Sequence, residues 1–147
     1  MNSPNDVDTN LGKLSVWASK LDYLLQGGLR DHAKAAPDFY PGRTSHGNHD
    51  IAAKQMQGFG GALSFTLKDG SDSVRRFLPR LNDAHLAANL GAVETVVDHP
   101  TTTRHVECTL QERTAMAIPE GLIRYSAGIE NTEDLVDDLG QALSARK

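Results

Sequence analysis

The stretch Gly121–Leu143, GLIRYSAGIENTEDLVDDLGQAL, constrains this chain more than any other. Its first nine residues alternate as a half-buried strand does, with Ile123, Tyr125, Ala127 and Ile129 on one face. Leu122, Arg124, Ser126 and Gly128 point the other way. Asn131 or Thr132 can cap a following helix, and Glu133 and Asp134 fall in its first turn, where the helix dipole favours negative charge. Leu135, Leu139 and Leu143 recur at i, i+4 and i+8 as one apolar stripe. Arg146 and Lys147 suit the negative end of that dipole. Arg124 stands apart from this packing logic, fixed mid-strand on a face shared with small residues.

Upstream, residues 1–9 are polar and read as a frayed tail, leaving 10–147 as one domain. Apolar residues at helical spacing predict a helix from Leu11 to Gln26, stopped by Gly27-Gly28. Breakers crowd residues 29–48, which read as irregular. Asn48 can cap a short helix, HDIAAKQMQ. GFGG at 58–61 feeds a strand, ALSFTLK, with Leu63, Phe65 and Leu67 facing the core. Asp69-Gly70 marks a turn. A helix then runs from Ser71 or Asp72 to about Asn82, with Val74, Phe77, Leu78 and Leu81 on one face. Residues 84–98 predict two short strands broken at Gly91. Pro100 and Thr101–Thr103 read as a loop, residues 106–117 as a helix, and Pro119-Glu120-Gly121 as a turn. The order α, loop, α, β, α, β, β, α, β, α predicts an α+β, two-layer sandwich: a small, mostly antiparallel sheet with helices on one face.

A single domain of 147 residues buries about two thirds of its unfolded surface. Fifteen basic against nineteen acidic residues argue against a nucleic-acid or anionic-membrane binder. No apolar run approaches a membrane span, and the polar start shows no signal-peptide pattern. Cys108 is the lone cysteine, which fits a reducing, cytoplasmic setting.

Several ordered motifs carry a resemblance. Tyr40-Pro41-Gly42, Ser45-His46, and His49 with Ala52, Lys54, Gln55 and Met56 resemble a Tyr-Pro-Gly-Leu, Ser-His, Ala-x-x-Gln-Met run. Gly58-Phe59-Gly60-Gly61 with Leu63-Ser64-Phe65 resembles a GFGG and Ser-Phe segment. Asn89-Leu90-Gly91, Glu94, His99-Pro100, Thr102-Thr103 and His105 resemble a Ser-or-Asn-Leu-Gly, Glu-Ser-Leu, His-Pro-x-x-x-Thr-His run. The closing hydrophobic-Arg-hydrophobic-Ser strand with Gly-Ile-Glu completes the set. Together they resemble the Cys/Met-metabolism family of pyridoxal-phosphate (PLP) enzymes, which includes cystathionine gamma-synthases, gamma-lyases and O-acetylhomoserine sulfhydrylases. Ala117 stands where that family favours glycine.

The resemblance implies the small C-terminal domain of a fold-type I PLP enzyme. In the family the Schiff-base lysine, the aspartate on the pyridinium nitrogen, the stacked aromatic ring and most phosphate-binding groups lie in a large domain. None of Lys13, Lys20, Lys34, Lys54, Lys68 and Lys147 sits in the family's lysine setting. No catalytic lysine is therefore expected here, and PLP would bind only with a large-domain partner chain or within a homo-oligomer. A stand-alone binding module, or a remnant without activity, is the rival reading.

Arg124 is the foremost site candidate. A guanidinium fork matches a carboxylate with two parallel hydrogen bonds, and the family's arginine at this place binds the substrate α-carboxylate. The bland alternative is a salt bridge, to Glu130 or Glu94. Asn89 matches a family position beside the same carboxylate, and its amide can donate to an oxygen; otherwise it is a turn residue. GFGG lacks phosphate-loop spacing and reads as a close-packed turn. The histidines, including His46 and His49 three apart, lack the partners of a metal site. Cys108 reads as an inert buried thiol.

Overall fold

The computed structural model describes residues 35–144. The expected tail and first helix fall outside them. Five strands form one mixed sheet in the order β1-β2-β5-β4-β3: β1 Ala35–Phe39, β2 Ala62–Leu67, β3 His85–Leu86, β4 Val96–Asp98 and β5 Leu122–Ser126. Five helices accompany it: α1 His49–Gln55, α2 Ser71–Phe77, α3 Pro100–Thr103, α4 Leu110–Ala115 and α5 Thr132–Ser144. Every pairing is antiparallel except β3 with β4, so the α+β sandwich expected from the sequence is present.

The alternation in β2 and β5 sorts their residues as the sequence predicts as far as Ala127, but β5 ends at Ser126 and Ile129, expected on the inward face, is exposed. Leu63, Phe65, Leu67, Ile123, Tyr125 and Ala127 are buried in one cluster with Val74 and Phe77 of α2 and Leu135, Leu139, Ala142 and Leu143 of α5. Removing one such side chain from water stabilises by about 2 kcal/mol. Asn131 caps α5, its side-chain oxygen accepting from the Glu133 amide at 2.9 Å. Asp138, buried within α5, ties the helix to the turn before β3 by accepting from the amides of Asn82 (2.9 Å) and Asp83 (3.1 Å).

Three local readings need correction. The segment assigned to irregular structure contains β1, an edge strand with a bulge between Ala36 and Phe39. Pro37 lies in that interval, and edge or bulge positions are where a strand tolerates proline. The helix after Gly70 ends at Phe77, because Pro79 converts the chain to a 3-10 turn over Leu78–Arg80. Pro100–Thr103, expected as a loop, is a single helical turn started by its proline.

Backbone demands explain two small residues. A Cβ at Gly128 would collide with the Thr95 amide nitrogen, the Glu94 carbonyl carbon and the Glu130 carboxylate. That closeness lets Glu130 accept from the Thr95 amide at 2.6 Å and the Thr95 hydroxyl at 2.8 Å. Ala117 has φ 56, a left-handed conformation that favours glycine.

Candidate functional site

The site lies on the sheet face opposite the α2–α5 core. Its position follows from register. Arg124 pairs across the ladder with Ser64 of β2 on one side and Asp98 of β4 on the other. Cross-strand partners on one face stand close enough to interact, and Arg124 Nη2 lies 3.0 Å from Asp98 Oδ2. This is an ion-pair contact without hydrogen-bond alignment at Oδ2. The Asp98 side chain is fully buried and that of Arg124 only 16% exposed. Thr103 in α3 donates its hydroxyl to Asp98 Oδ1 at 2.6 Å. The salt bridge entertained from sequence, to Glu130 or Glu94, is therefore replaced. Asp98 is the partner, and Glu130 holds Thr95 instead.

The segment 87–95 covers this face for a topological reason. β3 and β4 are parallel, so their connection must travel back across the sheet to start β4 in the same direction. On the way it presents carbonyls to the residues beneath. Arg124 Nη2 donates to Asn89 O at 3.0 Å and Ala88 O at 3.4 Å, and Ser126 Oγ donates to Leu90 O at 3.1 Å. Asn89 thus meets Arg124 through its main chain, while the residue itself is exposed. Next to this segment lies a cleft of about 650 Å³, bounded by Met56, the GFGG turn, Leu90, Ala92 and Ser126. Within GFGG, Gly60 takes φ 79, as a turn requires, and Phe59 stacks on His49 with ring centroids 5.5 Å apart.

Two members of the site escaped the sequence reading. Asp98 carries no local signal, because its role depends on a strand pairing 26 residues away along the chain. Arg104 stands where the His-Pro-x-x-x-Thr-His run has threonine. It donates from Nη2 to Ala88 O at 2.7 Å, and its Nε lies 3.9 Å from Asp98 Oδ2.

The remaining candidates settle into structural roles. His99 is buried, and its Nε2–H donates to the Glu120 carbonyl at 3.0 Å, since a carbonyl can only accept. His49 bonds Pro41 O at 2.8 Å, and the Asn48 amide donates to His46 Nδ1 at 3.2 Å. Among the described residues no group of histidine, cysteine and carboxylate side chains could hold a metal ion. Cys108 is half-buried. Burial, reinforced by the charges of Asp138 and Glu130, pushes the Tyr125 hydroxyl far above its ordinary range, so it stays neutral.

A model of the family described as "Cys/Met metabolism PLP-dependent enzyme" matches residues 27–144. The chain belongs to this family. L-methionine gamma-lyase of Fusobacterium nucleatum subsp. polymorphum is 43% identical over 115 residues, 78% of this chain and 29% of that protein. Cystathionine gamma-lyase of Bacillus subtilis (strain 168) is 39% identical over the same length, 30% of its own. The crystal structure of cystathionine gamma synthase from Xanthomonas oryzae pv. oryzae in complex with cystathionine superposes with a TM-score of 0.81 at 39% identity, covering 89% of this chain and 34% of that one. The chain thus spans about a third or less of these relatives.

The family is PLP-dependent, so the described residues can be tested for fit to that cofactor. Their lysines are Lys54 and Lys68, both exposed. Lys68 follows β2 four residues after Ser64, the partner of Arg124, which separates them by about 13 Å along the strand. Neither lysine lines the cleft or contacts Arg124. The described residues therefore fit an anion such as a carboxylate and do not fit the cofactor's aldehyde.

Proposed function

We propose that this chain is the C-terminal, substrate-carboxylate-binding domain of a PLP-dependent transsulfuration or sulfhydrylation enzyme of cysteine and methionine metabolism, working in the cytoplasm. One observation carries the reading: Arg124 is held rigidly yet incompletely. All its hydrogen bonds and ion pairs to described residues run through Nη2. Nε and Nη1 keep their N–H donors for a carboxylate, one on each of the two guanidinium edges that share Nη2. The Asn89 amide can add a donor to the same ligand.

The family's cofactor acts as an electron sink once an amino acid is attached to it. The contribution of this chain is to orient that amino acid by its carboxylate, and such fixing is a large share of catalysis. The lysine and the cofactor contacts come in this reading from a large-domain partner, or from a homo-oligomer that includes one. A non-catalytic module is the second reading. It is favoured by Asp98 and two loop carbonyls already engaging Arg124 Nη2.

The test mixes the purified chain with PLP, alone and then with a family large-domain polypeptide. Aldimine absorption is expected only in the mixture, with Arg124→Lys lowering kcat/KM there by roughly 10²-fold. Stoichiometric borohydride trapping of PLP on this chain alone would overturn the division of labour. Full activity of Arg124→Ala in the complex would overturn the carboxylate role.

A further inference from the structure

Arg124 does not meet Asp98 alone. Arg104, on the turn after α3, approaches the same Oδ2 at 3.9 Å and donates to the same Ala88 carbonyl that Arg124 reaches. Through that shared oxygen the two Nη2 atoms are no more than about 6 Å apart. Two permanently charged guanidinium groups thus converge on one buried carboxylate. Asp98 offsets one of them, leaving an excess positive charge at a half-covered sheet face. Oδ2 has no aligned hydrogen bond, so it satisfies neither arginine fully. Arg104 is 47% exposed along its side chain, and its Nη1 has no hydrogen bond or ion pair among the described residues.

We propose that Arg104 is a second anion-binding residue of the Arg124 site, so that one carboxylate is held by both guanidinium groups as counter-charge to the uncompensated cation. This rests on the reading that Arg124 takes a carboxylate. The ligand class is narrowed by it: a compact carboxylate whose oxygens stay accessible from two sides, as in an unbranched α-amino acid. Bulky groups beside the carboxyl would meet Ala88 and Asn89, whose carbonyls the arginines hold in place.

The experiment uses the whole chain labelled with ¹⁵N at arginine, titrated with L-methionine and with acetate, against methylammonium chloride at matched ionic strength. The Nε–H signals of Arg104 and Arg124 are expected to move together with one Kd for the carboxylates and not for the cation. Arg104→Gln keeps an amide for the Ala88 carbonyl but loses the charge, and should weaken Kd about tenfold. Arg104→Lys should recover part of that loss, and the salt dependence of Kd should flatten in Arg104→Gln. If the Arg124 signal moves while that of Arg104 does not, or if Arg104→Gln binds as tightly as the parent, the second guanidinium plays no part and the carboxylate reading of Arg124 survives. If neither signal moves, both readings fall.

Discussion

Removing Arg124 should cost stability as well as function, and the structure sets the size of that cost. Asp98 is fully buried, and its Oδ2 meets Arg124 at 3.0 Å. Arg124→Leu strips the nearer cation and leaves the carboxylate facing only the distant, half-exposed Arg104. Breaking a buried pair from one side typically costs about 3–5 kcal/mol, because the remaining charge stays desolvated. A domain of this size has on the order of 5–15 kcal/mol in total, so the single variant should unfold at much lower urea. Asp98→Leu should destabilise similarly, since it leaves Arg124 to the loop carbonyls alone. The double variant Asp98→Leu, Arg124→Leu removes both charges and should recover about 2–4 kcal/mol relative to the sum of the singles. Urea unfolding followed by far-ultraviolet circular dichroism measures all four species. Additive single effects, or an Arg124→Leu cost below about 0.5 kcal/mol, would refute the coupling of the two residues.

Two further outcomes are accessible. Ala117→Gly should stabilise by about 0.5–1 kcal/mol, seen as a raised Tm, because alanine is strained at φ 56; an unchanged or lowered Tm would contradict that strain. The Glu120 carboxyl is held below its ordinary range, chiefly by its hydrogen bond from Arg113 Nε at 2.6 Å. Its depressed folded value means a stability contribution present above the unfolded pKa near 4.5 and lost as pH falls through the folded value. Glu120→Gln should therefore flatten the acid limb of the stability–pH profile below pH ~4.5 and leave its neutral limb parallel to the parent.

What the sequence made legible was local in its cause. The β2 and β5 alternation and the α5 leucine stripe each depend on residues a few positions apart, so Leu63, Phe65, Ile123, Tyr125, Leu135 and Leu139 could be assigned to the core unaided. Arg124 was visible because it breaks that pattern. Its partner was not. Asp98 reaches Arg124 through the β4–β5 register, and Glu130, the nearer guess along the chain, is drawn off by Thr95. The edge strand β1 was hidden for a related reason: its breaker-rich residues form a strand only because β2 offers them a free edge. The threonine run became helical because Pro100 pre-sets its first turn.

Arg124 shares its strand with Ile123 and Tyr125, both wholly enclosed among the helices. The anchor for a ligand is thus soldered to the least deformable part of the molecule, where a shift of the guanidinium base would drag the interior with it. Tuning for larger or smaller guests must then fall to the crossover 87–95, whose carbonyls touch the site and whose residues 88–94 face water. Variation among proteins built on this plan should gather in that crossover, with the strand beneath it left alone.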